Sequence, residues 1–233
     1  MSKVVEQIED TLIKLKELGV LETEIVKRYE DKILSLKNNE LSYFFAKNIE
    51  GADVKAHGKV IIDSKDLEYN YYFAVLPGAD VKAHEQIIID SKNLKFNLDF
   101  AKNVEGADQK AHGRVIIDSK NLEYNYIFAR DVKGADVKAH GKIILDSKDL
   151  KFNFLFARDI GRSDFKAHEQ IILDSEDLAH NLLFLDLEKS DKNAHKRVIN
   201  KPVITYDCNF LDNALDEMIK ENNEENKSMQ KRS

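Results

Sequence analysis

A chain of 233 residues with 42% hydrophobic side chains can bury a continuous core, which excludes a wholly disordered polypeptide. Its formal charge of −6 is spread as −2 before Phe44, −2 from Phe44 to Ile199 and −2 beyond, so no segment is strongly basic and nucleic acid or nucleoprotein is not the favoured partner. The single cysteine, Cys208, excludes an intramolecular disulfide, and no apolar run approaches the roughly eighteen residues that cross a bilayer. With no signal-like apolar stretch in Met1-Ser2-Lys3-Val4-Val5-Glu6, the expectation is a soluble cytoplasmic protein without a membrane partner.

In chain order, residues 1–21 carry apolar side chains at Val4, Ile8, Leu12, Leu15 and Leu18, the spacing of an amphipathic helix that caps the first repeat. Residues 22–211 are a tandem repeat, in which Phe45, Phe73, Phe100, Phe128, Phe156 and Phe184 stand in phase at intervals of 28, 27, 28, 28 and 28 residues. Five copies, centred on His57, His84, His112, His140 and His168, share Gly-Ala-Asp or a close variant, Lys-Ala-His, an apolar triplet, Asp-Ser and an aromatic-Asn pair. A degraded copy with Tyr29 at the histidine position precedes them and another around His195 comes after, as befits the ends of a stacked array. The repeats divide as 22–49, 50–77, 78–104, 105–132, 133–160, 161–188 and 189–211. Pro202 fits the first turn of a final helix, Phe210 to Ile219 patterns as one further covering helix, and residues 212–233 comprise the end of that C-terminal cap and a polar tail.

Within a repeat, Asp53 sits where an N-cap belongs, and Lys55, Lys59 and Asp63 fall on one polar strip at about 100° per residue. The segment Asp66 to Val75 patterns as a second helix. The predicted fold is therefore all-α, an α-solenoid of about seven stacked two-helix repeats with helical caps. The β-branched runs such as Ile87-Ile88-Ile89 keep a β-solenoid as the alternative. The motif Gly-Ala-Asp-Val-Lys-Ala-His through Tyr-Asn-Tyr-x-Phe-Ala resembles short helical-hairpin tandem repeats of uncharacterised bacterial and phage proteins, and more loosely TPR and HEAT arrays, over about residues 22–211. The TPR signature residues themselves are absent, and the resemblance implies an architecture without a specific activity.

Equivalent residues in such an array form columns. His57, His84, His112, His140 and His168 fall on the apolar arc of the first helices, and Asn70, Asn97, Asn125, Asn153 and Asn181 on that of the second. Buried, they would satisfy one another or nearby backbone groups as a structural polar seam, since imidazoles about one helix spacing, ~8–10 Å, apart cannot share a metal ion. No metal or cofactor is expected. The recurring Asp-Ser pairs, from Asp63-Ser64 to Asp174-Ser175, precede each second helix and are read as caps rather than nucleophiles, leaving no catalytic residue. Glu68, Lys95, Glu123 and Lys151 alternate in sign and could pair between repeats, while Gly58, Glu85, Gly113, Gly141 and Glu169 are read as variable surface positions.

Candidate contact residues are the columns Lys47, Lys102, Arg130, Arg158 and Lys55, Lys82, Lys110, Lys138, Lys166, together with Val75 and Leu76 at the one shortened repeat boundary. These features point to a non-enzymatic protein-interaction module or scaffold. The alternatives are a mobile-element inhibitor that blocks a host defence effector and, third, a metal-binding or enzymatic protein using the histidine column.

Overall fold

The computed structural model describes residues 3–17, 19 and 23–201 and divides into two compact units, Met1–Asp136 and Val137–Ser233. All regular structure among the described residues is helical and packed in successive pairs, so the fold is an α-solenoid and the β-solenoid alternative falls. The first unit holds α1 (Lys3–Glu17), α2 (Thr23–Leu36), α3 (Asn39–Asn48), α4 (Val54–Ser64), α5 (Leu67–Ala74), α6 (Val81–Ser91), α7 (Leu94–Asn103), α8 (Gln109–Ser119) and α9 (Leu122–Asp131). The second holds α10 (Val137–Ser147), α11 (Leu150–Asp159), α12 (Phe165–Ser175), α13 (Leu178–Leu185) and α14 (Lys192–Ile199). Cys208, Pro202 and the predicted helix Phe210 to Ile219 lie outside the described residues.

Local chemistry explains why helices start and stop where they do. Asp53, Asp80, Asp108, Asp164 and Asp191 cap first helices, each side chain accepting from the backbone N–H three residues on. Asp66, Asn93, Asn121, Asp149 and Asp177 cap the second helices in the same way. The reading of Asp-Ser as those caps is thereby corrected: Asp63 and Ser64 end α4, and the cap lies two residues beyond the serine. Ser64 Oγ donates to Ile61 O at 2.7 Å and accepts from Asp66 N at 3.2 Å, so the hydroxyl joins one helix end to the next cap. Between them Lys65 is left-handed, with φ of 57°, and Lys92, Lys120, Lys148 and Glu176 repeat it. A side chain at a position that favours glycine is tolerated because this two-residue turn is held from both sides.

Neither helix of a repeat is long enough to be stable alone, so burial supplies the stability. The closest packing is of a second helix against the first helix of the following repeat, as in α5 on α6, α7 on α8, α11 on α12 and α13 on α14. In the first unit, Phe45, Phe73, Phe100 and Phe128 alternate with Ile61, Ile88 and Ile116, all essentially inaccessible to solvent. In the second, Phe156 and Phe184 do the same with Ile144 and Ile172. At the N-terminus Val5 and Leu12 of α1 are buried in one cluster with Val26, Ile33, Leu41 and Phe45, so this helix covers the first repeat's apolar face. Of the predicted stripe, Ile8 and Leu15 are half-buried, and Leu18 lies outside the described residues.

Candidate functional site

The polar columns are wholly inside the structure: the five histidines and five asparagines have 0–1% exposure, and His195 joins them. Asn70 Nδ2 donates to Ile61 O at 3.0 Å and to Asp66 O at 2.7 Å, binding together the end of α4 and the start of its own helix. Both amide hydrogens are thus used, and Oδ1 is left to face His84 Nδ1 at 2.8 Å, which makes the imidazole the donor. The same bond recurs between His112 and Asn97, His168 and Asn153, and His195 and Asn181, each at 2.7 Å. These histidine rings also lie against the phenylalanine that precedes them, Phe73 to His84 and Phe100 to His112 having centroids 5.0 and 5.2 Å apart. The first step departs from the pattern because Ser42 stands at the asparagine position. Ser42 Oγ and His57 Nδ1 are both buried without a hydrogen-bond partner.

One residue after each histidine, the structure overturns a surface assignment. Gly58, Gly113 and Gly141 are buried, and Glu85 and Glu169 retain only 3% and 2% exposure. At Gly58, Glu85, Gly141 and Glu169 the position faces the following repeat, not solvent. Glu85 Oε1 accepts from the backbone N–H of Asp108 and stands 3.3 Å from His112 Nε2, while Oε2 accepts from Lys82 Nζ at 2.8 Å. Glu169 makes the equivalent bonds to Asp191 N–H, His195 and Lys166. Glu30 does so toward Asp53 N–H and, at 3.4 Å, His57. Where glycine occupies the position, the histidine opposite loses this carboxylate neighbour; the Nε2 atoms of His84 and His168, like those of His57 and His112, are buried without a hydrogen bond. Burial holds both imidazoles far below their ordinary 6.5, to about 4. Burial also lowers His57 and His112, against the opposing pull of Glu30 and Glu85.

The predicted contact columns are exposed but unequal. Lys102 Nζ reaches Asp131 at 3.0 Å, and Arg130 Nε pairs with the same carboxylate at 2.7 Å while its guanidinium lies 5.0 Å from the Tyr126 ring centre. These partners hold the Asp131 carboxyl below its usual range, the hydrogen bond from Arg130 being the largest cause. Arg158 is held by Asp159 at 2.6 Å and lies over Phe154, and Lys47 lies over Tyr43. Three of the four cations in this column are therefore already engaged by carboxylates. In the lysine column, Lys82 and Lys166 turn back to the buried glutamates, whereas Lys55, Lys110 and Lys138 are exposed and form no ion pair among the described residues. Within the first unit, Glu68 and Lys95 of the alternating column do not pair with each other, for Lys95 binds Asp99 on its own helix at 3.3 Å and Glu68 accepts from Tyr72 at 2.9 Å. Side chains four apart on one helix are nearer than those one repeat apart.

Val75 is 55% exposed and Leu76 half-buried, and the structure adds what the columns did not reveal. Tyr43 of α3 lies 6.1 Å from Tyr69 and 6.0 Å from Tyr72 of α5, ring centre to ring centre, and Tyr72 remains 40% exposed. Tyr72 and Val75 are one helical turn apart, so the apolar surface at the shortened boundary is continuous with a tyrosine cluster. The sequence carried a signal for it: α5 has Tyr69, Tyr71 and Tyr72 where α7 has Phe96, Leu98 and Asp99.

Among the described residues, no group of three or more His, Cys, Asp or Glu side chains is placed to hold a metal ion, and no helix is long and apolar enough to cross a membrane. Comparisons with protein-family models, curated proteins and solved structures find no match to this chain.

Proposed function

We propose that the protein is a non-enzymatic protein-interaction module of the short helical-hairpin repeat type, with its main contact surface at Tyr43, Tyr69, Tyr72 and Val75. The observation that supports this reading is the exposure of Tyr72 and Val75 beside two further tyrosine rings, on a surface that is otherwise mostly polar. Tyrosine combines a large apolar ring with a hydroxyl and few rotatable bonds, so it contributes strongly to binding for little lost side-chain freedom. The basic strip is the weaker surface because Lys102, Arg130 and Arg158 are already paired with Asp131 and Asp159.

Affinity capture from the cells that make the protein tests the reading. Tyr72→Ser with Val75→Ser should lose a specific protein partner, whereas Lys102→Glu with Arg130→Glu and Arg158→Glu should retain it, with helical circular dichroism unchanged in both. Loss in the charge variant alone would transfer the site to that strip. Capture of no protein by the parent chain would overturn the module itself.

A further inference from the structure

Three groups surround the buried Glu85 carboxylate: the N–H of Asp108 at a helix start and Lys82 three residues before the glutamate donate to it, and the Nε2 face of His112 stands against it. One repeat earlier the same three groups are present as Asp80 N–H, His84 Nε2 and Lys55, but the residue between them is Gly58. Among the described residues Asp80 N–H meets no acceptor and Lys55 forms no ion pair, and His84 Nε2 is buried without a partner. A groove of about 420 Å³ opens at this place, and its walls include Lys55, Gly58, Ile62, Ala79, Asp80 and His84. A Cβ built on Gly58 would lie 3.4 Å from His84 Nε2 and 3.1 Å from the Phe73 ring. Among the groups that surround the carboxylate, the missing side chain is what separates this step from the glutamate-filled one.

We propose that the space beside Gly58 is a binding site for a carboxyl group on a short aliphatic stem, which takes the place that Glu85 holds one repeat later. One carboxyl oxygen accepts from Asp80 N–H and faces His84 Nε2, and the other meets Lys55, while Ile62 and Ala79 line the stem. The Asp80 side chain is turned to its own helix, accepting from Ala83 N at 3.1 Å, and Lys59 on the same groove adds a second positive charge. Asp108 caps its helix in the same way beside Glu85, so a capping aspartate is compatible with a carboxylate here. His84 Nδ1–H is committed to Asn70, so its Nε2 is a lone pair when the ring is neutral. A carboxylate facing that lone pair requires a proton between them, and each ligand is bound together with one proton. The second unit repeats the arrangement with Asp164 N–H, the unpartnered His168 Nε2, Lys138 and Gly141, whose added Cβ would lie 3.7 Å from the imidazole.

Propionate, the glutamate side chain without its backbone, is the probe. Titrated into the full chain at constant ionic strength against sodium chloride, it should shift the amide resonance of Asp80 and the imidazole resonances of His84 saturably. Because one proton accompanies each ligand, affinity should fall by up to about tenfold per pH unit on going from about pH 5.5 to about pH 7.5. Gly58→Glu fills the site from within and should abolish the response at Asp80 and His84 while leaving that at Asp164 and His168. Lys55→Gln, a change at an exposed residue that does not threaten folding, should weaken propionate about tenfold. A doubly blocked glutamate that binds more tightly than propionate would assign an acidic side chain of a polypeptide as the occupant, and weaker binding a free small acid. The proposal is overturned if propionate gives no saturable shift beyond that of chloride, if the shift survives Gly58→Glu, or if Lys55→Gln leaves the affinity unchanged. Capture of a partner by the tyrosine surface is independent of all these outcomes.

Discussion

The step from Glu85 to His112 and the step from Gly58 to His84 belong to one unit, share the same seam residues and differ most in one buried position beside the imidazole. In both, an asparagine ties two backbone carbonyls to the next histidine, and a phenylalanine packs on that imidazole. Only in the first does a carboxylate reach the far side of the imidazole. The comparison separates two layers of the molecule. The asparagine-histidine seam is common to the steps and sets how one repeat lies on the next, while the adjoining Glu/Gly column makes the steps chemically different without altering the fold.

The severest way to break the comparison is to remove what both steps share. Asn97→Leu leaves His112 Nδ1–H without an acceptor in the interior and removes one hydrogen bond each from the carbonyls of Ile88 and Asn93, which keep Ser91 Oγ and the residue-97 N–H, and should destabilise the protein by about 3–4 kcal/mol in urea denaturation, adding the stranded donor to the two lost bonds. Asn70→Leu should cost about the same, because the seam at that step is identical. A large difference between the two would mean that the glutamate supports the seam. Glu85→Ala attacks the layer that differs: it leaves Asp108 N–H and Lys82 without their acceptor and should cost about 2–3 kcal/mol.

Acidification distinguishes the steps by charge. His84 and His168 have folded values of about 4 against an ordinary 6.5, so the unfolded chain takes up protons first. Stability is therefore complete above the unfolded value and is lost as pH falls through it toward the folded one. From about pH 7 to about pH 5 each such histidine should remove about 2 kcal/mol of unfolding free energy, measured by urea denaturation across that range. The imidazole resonances of His84 and His168 should stay those of the neutral ring until well below pH 6.5. A seam repair gives the smallest effect and the opposite sign. Ser42→Asn supplies the amide that the first step lacks, gives His57 Nδ1 an acceptor, and should stabilise the protein by about 1 kcal/mol in the same assay.

Much of this architecture was legible because tandem repetition imposes the same environment on equivalent residues. Fully buried His84 and Asn70 were visible as polar interruptions of an apolar arc, and the need of a buried amide for partners pointed to the contact between them. Other features were hidden by chain-local reasoning. The caps of the second helices at Asp66 and Asn93 were displaced to the preceding Asp-Ser pair, since a hydroxyl that bridges a helix end and a cap looks in sequence like a cap itself. In the charge column, Glu68 and Lys95 suggested pairing across repeats, but Tyr72 and Asp99 lie nearer on the same helices. The tyrosine cluster needed Tyr43 of one repeat brought against Tyr69 and Tyr72 of the next.

Repetition in the amino-acid sequence was sufficient to specify the helical solenoid, its period near 28 residues and the polar columns within it, because a spacing repeated that often leaves few ways to bury the same side chains. Helix packing was needed to place Gly58, Glu85, Gly113, Gly141 and Glu169. On a helical wheel each stands about 100° from its buried histidine, at the edge of the apolar arc, where burial depends on whether the next helix closes over it. Packing closes that edge, turning a position readable as surface into a buried column filled by carboxylates at some steps and left as glycine at others.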